Sequence, residues 1–424
     1  MSKETIDEII YVDHLPVEIR KGAVYSINQP NPNNYTHGFF KYPCKFIPEI
    51  PRWAMNKYLN NEQNLVLDPF SGSGTTLLEA TINGKNSVGT EIDNFAKLLI
   101  KVKTTQLTPE EICFTEDWLN DFIIIQENYQ NYGEYFVASI DNLGHWFTET
   151  NIQKLGVIKT EIDRINNIRI RDFLLICFGS IIRKCSNSDE VSPKPYVSTR
   201  FQKVPGDPFV LFGDITRKYL NDLTLFSTLP NIGTSEILPG DALNIGGDVV
   251  ADLAITSPPY INAFDYARTL RLENLWLGLE SESSIRNKKK EYVGTENIKA
   301  KDEVQNLSIL NDSDLLKNLF TEIEKVDAKR ALIVKKFFED MKKNLISVHS
   351  KLRVDGKYCI VIGDSTIRKI NIPSWKIIWD IAETLGFNIE TYFSYVIQNH
   401  YLRIPRGEKG GKINKDYVLV LTKI

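Results

Sequence analysis

Between residues 64 and 107 the apolar positions fall in short runs separated by glycine, proline and acids. Asn64-Leu-Val-Leu67 reads as a brief buried strand ending on Asp68, followed by a glycine-rich turn and a helix from about Thr75 to Asn83. Asn86 to Glu91 predicts a second strand, and Ala96 onward a second helix. This alternation is the rhythm of an open, mostly parallel α/β sheet. Upstream, residues 1–34 are polar, with an Asn28-Gln-Pro-Asn-Pro-Asn-Asn34 run that reads as loop, and a proline-opened helix over Ile47 to Leu59 carries Ile50, Trp53, Ala54 and Tyr58. No repeat of solenoid or propeller length interrupts the pattern.

The rhythm breaks over residues 108–235, which are rich in helix formers and aromatics such as Trp118, Tyr132 and Trp146, and which end in a loop-prone basic stretch from Arg183 to Pro208. It resumes with a strand at Glu236 to Leu238, a Pro-Gly-Asp241 turn and a strand at Ala251 to Thr256. Residues 280–345 read as a charged, mostly helical insert. Lys357 to Ile362 is a further strand, Pro373 to Leu385 a helix, and Ile389 to Ile397 with Asp416 to Thr422 a closing antiparallel edge hairpin. The expected organisation is therefore a core in three pieces, 1–107, 236–279 and 346–424, with helical inserts at 108–235 and 280–345.

Composition adds bounds. The chain has 424 residues, 42% hydrophobic and 25% charged, an ordinary globular balance with ample length for a buried core. Lysine plus arginine number 51 against 54 acids, a net charge of −3, which excludes a wholly basic nucleic-acid binder but not a locally basic groove. Five scattered cysteines without a Cys-x-x-Cys pair argue against a disulfide framework and for a reducing cytoplasm. The charged start does not read as a secretory signal, and no apolar run has the length of a membrane span. His14, His37, His145, His349 and His400 stand apart from one another, so no metal-ligand spacing emerges.

Two turns carry chemistry. In Asp68-Pro-Phe-Ser-Gly-Ser-Gly-Thr75, Gly72 and Gly74 let the backbone approach a ligand at the carboxyl edge of the sheet. The turn lacks the Gly-Lys-Ser/Thr ending of a phosphate loop and the third glycine of a dinucleotide fingerprint. Asp68, Glu91 and Asp241 each close a strand, and three acids suit an amino-acid-bearing adenosine better than a pyrophosphate: Glu91 for ribose hydroxyls, Asp241 for an adenine amino group. In Thr256-Ser-Pro-Pro-Tyr260 the paired prolines cannot continue a strand or donate hydrogen bonds. Ser257 and the Pro258 carbonyl can hold the two hydrogens of an exocyclic amine, Pro259 stiffens the turn, and Tyr260 offers a face for a flipped base.

Together these two turns resemble those of the exocyclic-amino DNA methyltransferases that use S-adenosylmethionine. Lys41-Tyr-Pro-Cys-Lys-Phe-Ile-Pro48 resembles the segment preceding that family's glycine turn, and Leu352-x-x-x-Gly356-x-Tyr-x-Ile-Val-Ile-Gly-Asp364 the strand after its catalytic one. The resemblance implies a Rossmann-like class I methyltransferase sheet with helical inserts for DNA recognition. It implies cofactor contacts from Lys45, Phe46, Asp68, Pro69, Phe70, Gly72, Gly74, Thr75, Thr76, Glu91, Asp241 and Ala242. A Ser-Pro-Pro-Tyr turn in this family usually accompanies N4 methylation of cytosine, and Asp/Asn-Pro-Pro usually N6 methylation of adenine. The implied partners are duplex DNA and a cognate restriction endonuclease in a prokaryotic cell. An N6-adenine enzyme, an RNA amino-methyltransferase and a catalytically silent DNA-binding module remain open. Cys44 follows Pro43, as the nucleophile of C5-cytosine enzymes does, but it precedes the glycine turn and reads as a small packed residue.

Phosphate contacts are expected from basic loops: Arg183, Lys184 and Arg200 in one, Arg403, Arg406, Lys409 and Lys412 in another, with Arg286 to Lys290 a third. The 108–235 insert is expected to be the main recognition region.

Overall fold

The computed structural model describes residues 8–29, 31–43, 45–60, 62, 64–261, 265–398 and 414–424. Its main sheet contains β1 (Ile9–Val12), β2 (Val24–Ile27), β3 (Leu65–Asp68), β4 (Asn86–Gly89), β5 (Ser235–Ile237), β6 (Ala251–Thr256), β7 (Leu352–Gly363), β8 (Phe387–Val396) and β9 (Lys415–Lys423). Across the sheet the order is β1-β2-β8-β9-β7-β6-β3-β4-β5, with β9 antiparallel to both neighbours and every other pair parallel. This is the expected class I methyltransferase arrangement: a mostly parallel sheet closed by an antiparallel C-terminal pair.

One expectation is corrected. Residues 9–12 and 24–27 form two strands inside the polar N-terminal segment, so the C-terminal hairpin is not the edge: β2 pairs with β8 through Ser394 and Tyr395. Val24, Tyr25 and Ile27 are buried, and Tyr25 meets Phe393 edge-on with ring centroids 5.8 Å apart. Four-residue strands inside a polar segment present too few apolar positions for their period to stand out.

Alternation along the strands divides the core. Val66, Leu253, Ile255, Cys359, Val361 and Val418 face α1 (Glu49–Tyr58), where Ile50 and Trp53 lie. Leu67, Ala254, Tyr358, Ile360, Ile362 and Leu419 face the opposite helices. The helices after β3 and β4 are α2 (Thr75–Ile82) and α3 (Asn94–Lys103). Against them packs a helical cluster made of α4 (Pro109–Asn128), α5 (Glu149–Asp163), α6 (Ile168–Cys185) and α7 (Pro208–Ser227), sharing a core with Leu78, Phe95 and Leu99. Beyond them in the chain come α8 (Asp314–Val326), α9 (Ala328–Lys351) and α10 (Ser374–Glu383), all on the Leu67 face of the sheet.

The charged composition of residues 280–345 hides a core element. The helix α9 connects β6 to the parallel strand β7, and Ala331, Val334, Phe338, Met341 and Leu345 are buried on its sheet-facing side. Among the described residues no helix is long and apolar enough to cross a membrane.

A buried polar chain ties α9 to the sheet: the Tyr358 hydroxyl donates to Asn344 Oδ1 at 2.6 Å, and Asn344 Nδ2 donates to the Ala242 carbonyl at 2.7 Å. Tyr358→Phe strands the Asn344 oxygen in a dry site. It is expected to lower the unfolding free energy by about 1–3 kcal/mol, measured by urea denaturation; an unchanged midpoint would mean the bond contributes nothing net.

Candidate active site

Strands β3 and β6 are parallel neighbours with Leu67 opposite Ala254, so their carboxyl ends emerge together. From β3 the chain turns to β4 on one side, and from β6 it crosses to β7 on the other. The crevice lies where these directions diverge, the usual ligand position in open α/β sheets. Asp68 and Thr256 join the two ends: the Thr256 hydroxyl donates to Asp68 Oδ1 at 2.6 Å, and the Phe70 N–H donates to the same oxygen at 3.1 Å.

The glycine turn is held by its own backbone. The Ser71 N–H donates to the Thr90 carbonyl at 3.1 Å, the Gly74 N–H to the Ser71 carbonyl at 2.7 Å, and the Thr90 hydroxyl to the Pro69 carbonyl at 2.6 Å. Gly72 and Gly74 have φ of +49° and +76°, the left-handed region that glycine adopts without strain. Beneath the turn the fully buried Lys103 donates to the Ser73 carbonyl at 2.7 Å, and burial pushes its ammonium well below the usual lysine range.

A cavity of about 790 Å³, including its open mouth, lies over this turn. Lys45, Phe46, Pro69, Phe70, Gly72, Thr75, Glu91, Asp241 and Ala242 line it, and so do Ser257 and Pro259. Asp68, Gly74 and Thr76 are not on its wall. Gly74 caps α2, and Asp68 is buried behind the turn, with the Thr76 hydroxyl beside its carboxyl. Burial lifts the Asp68 carboxyl to about 6, against the pull of Thr256. Asp241 accepts the N–H groups of Leu243 and Asn244 at 2.8 and 2.9 Å, which shapes the turn after the Pro-Gly pair. Lys45 Nζ donates to the His37 carbonyl at 3.0 Å, and burial lowers its pKa.

Glu91 accepts from three backbone N–H groups: Gly72 at 2.9 Å through Oε2, and Ile92 and Asp93 at 2.8 and 2.9 Å through Oε1. Burial still outweighs them and raises its carboxyl from 4.5 to about 7.

Pro258 is buried. The Tyr260 hydroxyl donates to Asp416 on β9 at 2.7 Å.

Two lining residues, Tyr266 and Tyr292, have no local sequence signal. Tyr42, Tyr266 and Tyr292 form a ladder with successive ring centroids 6.3 and 6.2 Å apart and planes inclined by 23° and 14°. Tyr42 lies in the segment preceding the glycine turn, whereas Tyr266 and Tyr292 are brought in from beyond the Ser-Pro-Pro-Tyr turn. Gly89 is also missed by motif reading: a Cβ there would sit 2.1 Å from Ser71 Oγ and 2.9 Å from the Asp68 carbonyl.

The basic segments are disposed unequally. Arg183 and Lys184, expected on a loop, lie instead in the last turn of α6, and the Arg183 guanidinium donates to the carbonyls of Pro193, Asp189 and Ser192, so that it organises the loop that follows the helix. Lys184 and Arg200 are exposed, the latter with its guanidinium 5.2 Å from the Phe201 ring. In the third run, Arg286 pairs with Asp141, Lys288 with Glu280 and Lys289 with Asp265. Arg403, Arg406, Lys409 and Lys412 lie outside the described residues, as do His400 and Cys44. Among the described residues no group of three His, Cys, Asp or Glu side chains gathers to hold a metal.

The family model described as DNA methylase, the N6/N4 methyltransferase model, matches residues 15–102, which span α1, the glycine turn and α3. The chain is 25% identical over 435 residues to the type II methyltransferase M.MvaI of Kocuria varians, covering 97% of this chain and 95% of the relative. It is 23% identical over 410 residues to type II methyltransferase M.AvaI of Nostoc sp., with 88% and 82% covered. It is also 24% identical over 342 residues to M.BsoBI of Geobacillus stearothermophilus, with 70% and 63% covered.

Two outcomes follow from this geometry. Gly89→Ala drives a methyl group into the glycine turn and is expected to cost about 1–3 kcal/mol of stability, read from thermal unfolding; an unaffected Tm would mean the turn has slack. The raised Glu91 carboxyl keeps its proton in the folded chain where the unfolded chain has lost it. Stability from this group is therefore full below about 4.5 and falls as pH rises toward about 7. Glu91→Gln should flatten that part of the Tm–pH profile; an unchanged profile would assign the titration to another group.

Proposed function

We propose that this chain, a member of the DNA amino-methyltransferase family, methylates the exocyclic N4 amine of cytosine in duplex DNA as the modifying half of a type II restriction–modification pair. The observation that carries this reading is that Ser257 and Pro259 open on the same cavity as Gly72, Glu91 and Asp241. The full-length similarity to type II methyltransferases supports DNA as the substrate.

The cavity fits S-adenosylmethionine as the donor. Its floor is glycine backbone that a ligand can approach closely, and Glu91 and Asp241 are acids suited to ribose hydroxyls and an adenine amine. A ligand bearing ammonium and sulfonium charges would favour the ionised form of Glu91, whose proton burial otherwise retains up to about pH 7. Lys45 and Phe46 would hold the methionine end. When bound, the cofactor supplies a methyl group activated by its sulfonium.

The chain's own part is positioning and electrostatics. A cytosine amine conjugated to its ring is a weak nucleophile. Ser257 Oγ and the Pro258 carbonyl accept its two N–H bonds, which draws the nitrogen toward sp³ geometry and localises its lone pair. Pro259 keeps those acceptors rigid, and Tyr260 supplies the face for the flipped base. No strong base is needed, because the alkylated nitrogen loses its extra proton readily. The Ser-Pro-Pro-Tyr form of the turn supports cytosine over adenine as the acceptor.

The helical cluster of residues 108–235, with Lys184 exposed in the last turn of α6 and Arg200 on the loop that follows, is assigned to DNA recognition. Lys184→Ala with Arg200→Ala should reduce the dependence of log K on log salt by about two phosphate contacts, measured by fluorescence anisotropy; an unchanged slope would remove both side chains from the interface.

The reaction itself is tested by incubating duplex DNA and RNA with methyl-labelled cofactor and identifying the modified nucleoside by mass. N4-methylcytosine in DNA is the expected product. N6-methyladenine as sole product would reassign the base, and label only in RNA would reassign the substrate. Ser257→Ala is expected to lower turnover on the order of 100-fold with cofactor affinity unchanged, and equal loss of both would make Ser257 structural.

A further inference from the structure

The tyrosine of the Ser-Pro-Pro-Tyr turn is gripped from two distant parts of the chain. Its hydroxyl donates to Asp416 Oδ1 at 2.7 Å, and the other carboxylate oxygen, Oδ2, accepts from the Tyr395 hydroxyl at 3.1 Å. Asp416 is 7% exposed and Tyr395 2%, so the carboxylate is shielded from water and held by a buried neighbour on β8. It stands on β9 opposite Gly363 of β7 and Tyr395 of β8, its backbone fixed by the sheet on both sides. The second grip is on the Tyr260 backbone. Gly294, at φ +76°, approaches so closely that a Cβ would lie 2.8 Å from the Tyr260 carbonyl. Gly294 belongs to the same segment as Tyr292 and Val293, which line the cavity.

A phenol ring attached by two rotatable bonds can swing unless its far end is anchored. A hydrogen bond donated by its hydroxyl to a buried carboxylate anchors it at little entropic cost once the carboxylate is itself fixed. We propose that Asp416 is a positioning residue: with Tyr395 behind it, it fixes the plane of the Tyr260 ring so that an incoming base meets a preset face. This rests on the reading of Tyr260 as the stacking face for the acceptor base. In this role Asp416 acts through Tyr260.

The two hydrogen-bonding partners should therefore behave as one unit. Kinetics are measured on plasmid DNA that the wild-type enzyme methylates, for Tyr260→Phe, Asp416→Asn, Tyr395→Phe and the Tyr260→Phe/Asp416→Asn double variant. Tyr260→Phe and Asp416→Asn should each lower kcat/KM for DNA by roughly tenfold, and the double variant should be no worse than the weaker single one. The affinity for S-adenosylmethionine, measured by titration calorimetry, should stay within about twofold. Multiplying effects in the double variant would overturn the proposal, as would loss of cofactor affinity and thermal stability in step with activity. Tyr260→Phe removes only an oxygen and keeps the test open if Asp416→Asn folds poorly. A wild-type enzyme that methylates DNA while both variants match it would overturn the positioning role alone. A wild-type enzyme that methylates no nucleic acid would overturn the underlying reading and this proposal with it.

Discussion

The hydrogen bond from the Thr256 hydroxyl to Asp68 Oδ1, 2.6 Å long and fully buried, is the constraint on which the site depends. Residues 188 positions apart in the chain are brought together only because β3 and β6 are parallel neighbours. The bond then sets their two following turns side by side. One is a glycine turn that lets a ligand approach the backbone; the other is a proline-stiffened turn that presents acceptors. Neither alone defines a group-transfer site, and their adjacency does. The cost is a fully buried carboxyl, which burial raises to about 6.

Much of this was legible in the sequence, because the informative residues are local. The spacing of Gly72 and Gly74 after a strand, and the consecutive prolines after another, encode turn geometry within a few positions. The parallel sheet was legible for the same reason, since strand and helix periods differ within a short window. What escaped was long-range. Tyr266, Tyr292 and Gly294 have meaning only once folding lays them against residues on other elements. Asp416 is an ordinary strand-end acid until it meets Tyr260. The strands Ile9–Val12 and Val24–Ile27 were hidden in a polar context, and α9 by a charged face opposite its buried one.

The near-neutral net charge of −3 also has a clearer basis. Acids concentrate where the cavity needs them, at Glu91 and Asp241, and in ion pairs that neutralise basic runs, as at Lys203–Glu190 and Lys289–Asp265. Sequence counting treats every lysine in a basic run as available to phosphate. The folded chain commits Arg183, Lys288 and Lys289 to carbonyls or carboxylates and leaves Lys184 and Arg200 exposed. Among the described residues, the basic runs are thus divided between side chains tied into the fold and side chains open to solvent.

The central claim is that the two strand-end turns form one cofactor-and-acceptor cavity. Ultraviolet cross-linking of methyl-labelled S-adenosylmethionine, followed by peptide mapping, tests it most directly. Label should fall in peptides containing Tyr42, Pro69–Thr75, Tyr266 or Tyr292 and should be displaced by unlabelled S-adenosylhomocysteine. Competable label confined to the helical cluster of residues 108–235, or no competable label at all, would contradict it.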